Sequence, residues 1–155
     1  MKQYNHYTGK DFTIVICAYG TCEYLEKCIR AIKRQTVKPK VLISTSTPNG
    51  HICGLAEKYH IEVRVNPNGG HVRDYNFAIR QASTELCMLA HQDDLIEKTF
   101  VEQNLRALNR SKRPIISFCN YLEMHEDKVD KKPSTMVKVK RIMLLPLKAP
   151  GLGRT

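Results

Sequence analysis

Two adjacent carboxylates follow a short apolar run in the middle of the chain. Residues 86–90 read Leu-Cys-Met-Leu-Ala, and Asp93 and Asp94 come shortly afterwards. Adjacent carboxylates repel each other unless a cation or hydroxyl groups neutralise them, and Mg²⁺ or Mn²⁺ prefers such oxygen ligands together with nucleotide phosphates. The alternative is a solvated turn in which Asp94 is the N-cap of the next helix and Glu97 completes a capping box. The pattern alone leaves both interpretations open.

A glycine turn before a helical pattern is a second candidate site. Residues 68–70 read Asn-Gly-Gly, and Arg73 follows in the expected first turn of a helix. A helix N-terminus offers free backbone N–H groups to a phosphate, and an arginine can add a forked contact. The residues match neither a P-loop nor a Gly-x-Gly-x-x-Gly sequence, so an ordinary loop is the simpler explanation when the turn is taken in isolation.

Two other residue types could serve catalysis, but their positions favour structural roles. His91 could be a general base, yet a histidine at a strand end is more often a hydrogen-bonded structural group. Cys17 lies in an apolar run, which is typical of an inert core thiol rather than a nucleophile. The six cysteines include no Cys-x-x-Cys pair, and we expect all of them to be reduced.

These residues must be positioned by alternating strands and helices. Short apolar runs predict strands at residues 12–18, 41–43, 61–65, 86–90 and 115–119. Helical spacing of apolar residues predicts four helices between these strands. Their apolar faces are Leu25, Cys28, Ile29 and Ile32; Ile52, Leu55, Ala56 and Tyr59; Val72, Tyr75, Ile79 and Ala82; and Phe100, Val101, Leu105 and Leu108. The alternation predicts an α/β fold, with an open, mostly parallel twisted sheet and helices on both faces. Ligands then bind beyond the carboxyl ends of the strands, where the loops after Ala18, Ile43, Val65 and Ala90 should meet.

Composition and charge restrict the class of protein further. The chain has 155 residues, of which 42% are hydrophobic, as expected for one globular core and not for a collagen-like or wholly disordered chain. It contains neither an apolar run of membrane-spanning length nor an apolar leader, which predicts a cytoplasmic location. The net charge is +10, and residues 128–155 carry +7 of it. This basic tail leaves two interpretations open: a solvated, disordered segment, which is the commoner case, or a peripheral contact with anionic lipids at the inner membrane face. A nucleic-acid partner is not expected, because aromatic residues are not interleaved with the basic ones.

Several segments in this order resemble family 2 glycosyltransferases of the GT-A fold, over roughly residues 11 to 123. Residues 12–19 (Phe-Thr-Ile-Val-Ile-Cys-Ala-Tyr) are similar to the family's first strand and loop, and residues 24–29 (Tyr-Leu-Glu-Lys-Cys-Ile), followed by Gln35 and Thr36, to its first helix. Residues 68–76 resemble its Gly-x-x-x-Ala-Arg-Asn segment. Residues 91–94, His-Gln-Asp-Asp, are similar to its Asp-x-Asp motif.

The resemblance implies a Rossmann-like, GT-A domain over residues 12–124, truncated after the Asp-x-Asp region, with an N-terminal extension (1–11) and a basic linker and tail (125–155). It implies inverting transfer of a sugar from a nucleoside-diphosphate sugar, most simply a UDP- or dTDP-sugar, to a hydroxyl of a saccharide or lipid-linked acceptor. Asp94 would hold Mg²⁺ or Mn²⁺, and the donor would contact Ala18, Tyr19, Ser44, Thr45, Arg73, Gln92 and Asp93.

Two departures from the family pattern bear on activity. Where family members carry an Asp pair after the second strand, residues 43–47 read Ile-Ser-Thr-Ser-Thr. Hydroxyl groups would therefore contact the nucleobase of the donor. The half that normally supplies the general base would begin near residue 124, and only 31 residues remain. Glu126, Asp127 and Asp130 lie in a charged linker, so no general base is identified. The alternative function is a catalytically inactive or partial donor-binding module.

Overall fold

The computed structural model describes residues 3–125, 128–130 and 132–145. The chain forms two compact units, His6–Arg106 on the one hand and Ala107–Thr155 with Met1–Asn5 on the other. All the donor-binding and metal-binding residues expected from the sequence lie in the unit His6–Arg106.

Four parallel strands form the sheet of the unit His6–Arg106. They are β1 (Phe12–Ala18), β2 (Lys40–Thr45), β3 (Glu62–Val65) and β4 (Leu86–His91), arranged in the order β3-β2-β1-β4. Each neighbouring pair is parallel. Cys17 pairs with Ser44 on one side and with His91 on the other, so the carboxyl ends of β1, β2 and β4 are level. The open parallel sheet predicted from the sequence is confirmed.

Strand β1 is the centre of the hydrophobic core. Ile14, Val15 and Ile16 are all fully buried, although their side chains point alternately to opposite faces of the sheet. A continuous apolar strand of this kind requires cover on both faces. Because the strand is buried, the positions of its last residues, Cys17 and Ala18, are fixed. The loop that follows therefore begins at a defined place.

Five helices lie along the described chain: α1 (Leu25–Lys33), α2 (Gly50–Lys58), α3 (His71–Gln81), α4 (Phe100–Arg110) and α5 (Thr135–Met143). The apolar face predicted for α1 is buried as expected, with Leu25, Cys28, Ile29 and Ile32 at most 1% exposed. In α2, Ile52 and Ala56 are buried. Helices α1 and α2 pack against the sheet through these residues. Among the described residues, no helix combines the length and the apolar character needed to cross a membrane.

A buried glutamine joins α1 to α4. The Nε2 of Gln35 donates to the carbonyl of Glu97 at 2.7 Å, and its Oε1 accepts from the N–H of Val101 at 3.0 Å. The second bond satisfies one of the N–H groups that a helix N-terminus leaves without an intrahelical partner. Gln35 therefore fixes where α4 begins, six residues after the Asp93–Asp94 pair.

The apolar face predicted for α3 is wrong. Val72 is 69% and Ile79 50% exposed, whereas Ala78 is fully buried. The inner side of α3 also carries Asp74 and Tyr75, which are half-buried. The small side chain of Ala78 lets the helix approach the sheet closely, and the polar side chains beside it are satisfied by hydrogen bonds, which apolar periodicity does not detect.

The fifth strand expected at residues 115–119 is also absent from the structure. These residues have no strand partner within the described chain, and Ile115 is 97% exposed. The apolar, β-branched sequence favours an extended backbone, but a strand exists only where a neighbour completes its hydrogen bonds. The unit Ala107–Thr155 instead contains the short antiparallel pair β5 (Met124–His125) and β6 (Lys128–Val129).

Candidate functional site

An open cleft of about 520 Å³ lies beyond the carboxyl ends of β1, β2 and β4. Its size is within the usual range for a site that holds a small ligand. Residues of four loops or strand ends line it: Cys17, Ala18, Tyr19, Ser44, Thr45, Gly70, His71, Asp74, Tyr75, His91, Gln92 and Asp93. Six of the donor-binding residues expected from the sequence are among them, namely Ala18, Tyr19, Ser44, Thr45, Gln92 and Asp93.

The loop after β1 forms one wall of the cleft. Tyr19 is 67% exposed there, so its ring is available to a ligand. Gly20 has a φ of 58°, a left-handed conformation that side chains disfavour. Its N–H donates to Thr47 Oγ1 at 2.8 Å, and its carbonyl accepts from Asn49 Nδ2 at 2.9 Å. The loop after β2 thus fixes the turn that presents Tyr19.

Gln92 ties the same wall to the end of β4. Its Oε1 accepts from the N–H of Tyr19 at 3.0 Å, and its Nε2 donates to the carbonyl of Tyr19 at 3.1 Å. Both polar atoms of the side chain are therefore engaged with the backbone. Although Gln92 lines the cleft, its contacts in this structure position Tyr19.

Ser44 and Thr45 form the floor of the cleft at the end of β2. They are 4% and 2% exposed, respectively. The hydroxyl of Thr45 accepts from the N–H of Thr47 at 3.0 Å and so shapes the following turn. The place where the family usually has carboxylates is thus occupied by two small, buried hydroxyl side chains.

The Asp93–Asp94 pair lies on a tight turn and does not cap a helix. The N–H of Asp94 donates to the carbonyl of His91 at 3.1 Å, and Asp94 Oδ2 accepts weakly from the N–H of His91 at 3.4 Å. Helix α4 begins only at Phe100, which excludes the capping interpretation of Asp94 and Glu97. Both carboxylates are exposed, and Asp93 borders the cleft whereas Asp94 is not in its lining.

The start of α3 contributes residues beyond the donor contacts that the family resemblance implied. Gly70, His71, Asp74 and Tyr75 line the cleft, whereas Arg73 is exposed and lies outside the lining. Arg73 makes no ion pair among the described residues, so its guanidinium is free to turn toward a ligand. The glycine turn thus brings a helix N-terminus to the cleft, as a phosphate site requires, with the arginine at its edge.

Three rings pack against one another along one side of the cleft. The Tyr75 ring meets those of His71 and His91 edge-on, with centroids 4.9 and 5.5 Å apart. The Tyr75 hydroxyl lies 3.3 Å from His91 Nδ1. Burial, helped by the negative charges of Asp93 and Asp94, raises the pKa of Tyr75. His91 therefore has the hydrogen-bonded, structural environment that its position at a strand end favours.

Cys17 lies at the base of the cleft as a neutral thiol. Burial, helped by the negative charge of Asp74, raises its pKa to about 11. Burial also raises the pKa of Cys28, to about 12, and its Sγ contacts the carbonyl of His91 at 3.4 Å. Thiolates are the reactive form, so neither side chain is a nucleophile near neutral pH. All six cysteines are free.

Asp93 and Asp94 are compatible with a divalent ion that is shared with a ligand. Among the described residues, no cluster of three or more His, Cys, Asp or Glu side chains could enclose a metal. Mg²⁺ and Mn²⁺ do not require such a cluster, since one or two carboxylates with phosphate oxygens and water suffice. The exposed oxygen ligands on this turn are of that kind.

Comparison with known proteins identifies the family of this chain. The chain matches the model of glycosyl transferase family 2 over residues 13–152. No curated protein matches it significantly. Its fold is similar to two crystal structures of S. aureus TarS. The first, of residues 1–349, has a TM-score of 0.55 at 21% identity and covers 62% of this chain and 31% of that one. The second has a TM-score of 0.52 at 20% identity and covers 62% and 19%.

The two kinds of comparison support different conclusions. At these identities the TarS structures establish a shared GT-A fold, and the chain spans less than a third of the length of either. The family model, in contrast, covers most of the chain and includes β1 from Thr13 onward, β2 to β4 and every loop of the cleft. The chain therefore belongs to glycosyl transferase family 2.

Proposed function

We propose that this chain binds a nucleoside-diphosphate sugar in the cleft and serves the transfer of that sugar, with inversion, to an acceptor hydroxyl. The observation that carries the proposal is the convergence of Tyr19, Ser44, Thr45 and Asp93 around one cleft at the carboxyl ends of three parallel strands. Family membership makes a nucleotide sugar the expected donor. The cleft offers a different kind of group to each part of such a molecule.

The nucleoside would lie between Tyr19 and the floor made by Ser44 and Thr45. Ala18 and Tyr19 give an apolar and aromatic wall for a planar base, and the buried hydroxyls can donate to or accept from its edge. Hydroxyls suit uracil and thymine alike, so UDP- and dTDP-sugars are the proposed donors. Asp93, at the border of the cleft, would accept hydrogen bonds from ribose or sugar hydroxyls.

The diphosphate would lie between the Asp94 turn and the start of α3. Asp94 would hold Mg²⁺ or Mn²⁺, which supplies Lewis-acid stabilisation of the charge that develops on the leaving diphosphate. Arg73 and the free N–H groups at the start of α3 would contribute further positive potential. The roles of Arg73 and Asp94 require their exposed side chains to turn toward a bound donor.

The acceptor and the general base are not identified among the described residues. Asp130 is partly exposed next to β6, and Glu126 and Asp127 lie outside the described residues. A saccharide or a lipid-linked acceptor is proposed from family membership alone. The alternative function is therefore a partial or inactive donor-binding module, which would bind the same nucleotides but show neither transfer nor donor hydrolysis.

We also propose that α5 contacts an anionic membrane from the cytoplasmic side. Met136, Val139, Ile142 and Met143 are each at least 46% exposed and share one side of this helix. Its only charged residues are basic, namely Lys138, Lys140 and Arg141. An exposed apolar face with basic flanks is typical of helices that lie in the interface of anionic bilayers. Of the basic tail, residues 131 and 146–155 lie outside the described residues.

Calorimetric titration with UDP, dTDP, GDP and their sugar conjugates, each in Mn²⁺ and in EDTA, tests the donor site. We expect binding of a uridine or thymidine nucleotide that is stronger in Mn²⁺. Absence of binding by all of them would refute both the transferase and the donor-binding alternative. If a nucleotide sugar binds, an assay of sugar transfer and donor hydrolysis separates these two functions.

A further inference from the structure

One carboxylate joins three segments that surround the cleft. Asp74, in the first turn of α3, accepts from Asn66 Nδ2 at 2.7 Å through Oδ1. Its Oδ2 accepts from Ser46 Oγ at 2.9 Å and from the N–H of Gly70 at 3.2 Å. Ser46 follows β2, Asn66 follows β3 and Gly70 precedes α3. The loops after two strands and the start of a helix therefore share one acceptor.

The partners of Asp74 are themselves held in place. Asn66 is 5% exposed, its N–H donates to the carbonyl of Thr45 at 2.8 Å, and its Oδ1 accepts from the N–H of Asn68 at 3.1 Å. A Cβ on Gly69 would lie 3.1 Å from the Cβ of Ser46, so the two loops are in direct contact. The hydrogen-bonded chain thus runs from Asp74 through Asn66 to Thr45 on the floor of the cleft.

The charge of Asp74 is unfavourable for the ligand proposed above. Among the described residues no cation pairs with it, and it lines a cleft that would receive a diphosphate. Electrostatics alone would favour a neutral residue at this position. A carboxylate offers two acceptor atoms and no donor, which is what three converging donors require.

We propose that Asp74 is a positioning residue of the donor site, which holds the base-binding floor, Ser44 and Thr45, at a fixed distance from the phosphate-binding start of α3. This inference rests on the proposed function for the identity of the ligand. The hydrogen-bonded connection itself does not depend on it.

The asparagine variant Asp74→Asn separates geometry from charge. The new amide can keep its oxygen toward Ser46 and Gly70, but its NH₂ group then faces the NH₂ group of Asn66. Rotating the Asn66 amide would relieve this clash only by turning its NH₂ group toward the N–H of Asn68. One buried donor is left without a partner in either arrangement.

Exchanging the two residues restores every bond. In the double variant Asn66→Asp/Asp74→Asn, the carboxylate at position 66 accepts from both the Asn68 N–H and the amide at position 74. The oxygen of that amide accepts from Ser46 and Gly70. The net charge equals that of the original protein, and the polarity of the central hydrogen bond is reversed.

The test compares the Kd of UDP or dTDP in Mn²⁺ for these variants. We expect about tenfold weaker binding by Asp74→Asn, as for the loss of one charge-assisted hydrogen bond, and recovery to within about twofold in the double variant. Glu62→Gln is the matched control, since it removes one exposed carboxylate at the opposite end of β3 and should leave the Kd unchanged. Tighter binding by Asp74→Asn, an unchanged Kd with only a lower Tm, or no recovery in the double variant would each overturn the proposal.

Amide hydrogen exchange without nucleotide tests the connection independently of the ligand. We expect Asp74→Asn to accelerate exchange in residues 44–49 and 66–71 while the amides of β1 stay protected, and the double variant to reverse the change. Unchanged exchange in those loops would overturn the proposal even if nucleotide binds. Failure of the original protein to bind any nucleotide, with exchange as expected, would refute the proposed function and support the positioning role.

Discussion

The side-chain amide of Gln92 pairs with the backbone of Tyr19 through two hydrogen bonds, in the manner of one strand residue pairing with another. The pair bridges the loops after β1 and β4, which leave the sheet from neighbouring parallel strands. Because β1 is buried and β4 is at the sheet edge, the contact ties the end of the edge strand to the core. It also places the Asp93–Asp94 turn next to the exposed ring of Tyr19.

The variant Gln92→Glu should weaken nucleotide binding without unfolding the protein. A carboxylate can still accept from the Tyr19 N–H, but it repels the Tyr19 carbonyl that the amide group satisfied. We expect about fivefold weaker binding of UDP or dTDP in Mn²⁺, since one hydrogen bond contributes about 1 kcal/mol. Calorimetry measures the effect. Gln103→Glu, the same change at an exposed position on α4, should leave the Kd as it is. Equal affinities of both variants would refute the positioning role of Gln92.

The strands and helices that the sequence predicted correctly are those that bury apolar side chains. The parallel strands of the core and the buried face of α1 follow from apolar runs and spacing, because burial of such side chains is the dominant favourable term in folding. Convergence of Tyr19, Ser44 and Asp93 then follows from the rule that parallel strands end at one edge. No knowledge of individual contacts is needed for that step.

Hydrogen bonds between residues far apart in the sequence account for the features that the sequence did not predict. Asp74 belongs to the site because its partners, Ser46 and Asn66, come from two other segments. Gln35 fixes the beginning of α4 through a side chain more than 60 residues away, and this moves the helix start beyond Asp94. Neither bond leaves a periodic signal. The wrong face of α3 and the wrong capping interpretation both result from such bonds.

Asp94→Asn should remove the metal-dependent part of nucleotide binding. The amide retains an oxygen that can accept from the His91 N–H, so the turn should persist, while the charge available to Mn²⁺ is lost. We expect the Kd of UDP or dTDP in Mn²⁺ to rise at least about tenfold, equivalent to about 1.4 kcal/mol, and the Kd in EDTA to stay the same. Titrations in Mn²⁺ and EDTA measure both quantities.

The control for this variant is Glu57→Gln on α2, which changes an exposed carboxylate that does not line the cleft. This control should retain the full difference between the Kd of the nucleotide in Mn²⁺ and its Kd in EDTA. If Asp94→Asn shows the same enhancement by Mn²⁺ as the control, the metal is held elsewhere and the role assigned to Asp94 is wrong.

Cys17 should resist alkylation at neutral pH in spite of its place in the cleft. Burial raises the pKa of its thiol to about 11, so the side chain is neutral below that value and becomes the reactive thiolate only as the pH rises toward it. At pH 8 about one thiol in a thousand is ionised when the pKa is 11. We expect iodoacetamide to modify exposed Cys53 much faster than Cys17, as measured by peptide mass spectrometry.

The rate for Cys17 should then rise about tenfold per pH unit between pH 8 and pH 10, in proportion to the thiolate fraction. The unfolded protein supplies the internal control, since in denaturant Cys17 and Cys53 should react at similar rates. Rapid modification of Cys17 in the folded protein at pH 7 would contradict the neutral, inert thiol inferred here.

Lys138→Glu should weaken binding to anionic vesicles if α5 lies at a membrane surface. Lys138 is exposed at the border of the apolar face that contains Val139 and Ile142. A lysine near an anionic surface contributes about 1 kcal/mol, and its reversal to an acid adds repulsion, so we expect more than about tenfold weaker binding. Sedimentation with vesicles of phosphatidylcholine containing phosphatidylserine measures it, and added salt should weaken binding of the original protein.

Lys33→Glu on α1 changes the net charge equally and should bind nearly as well as the original. Equal loss in both variants would indicate that only the overall charge matters, and binding that is absent or indifferent to salt would refute the contact through α5.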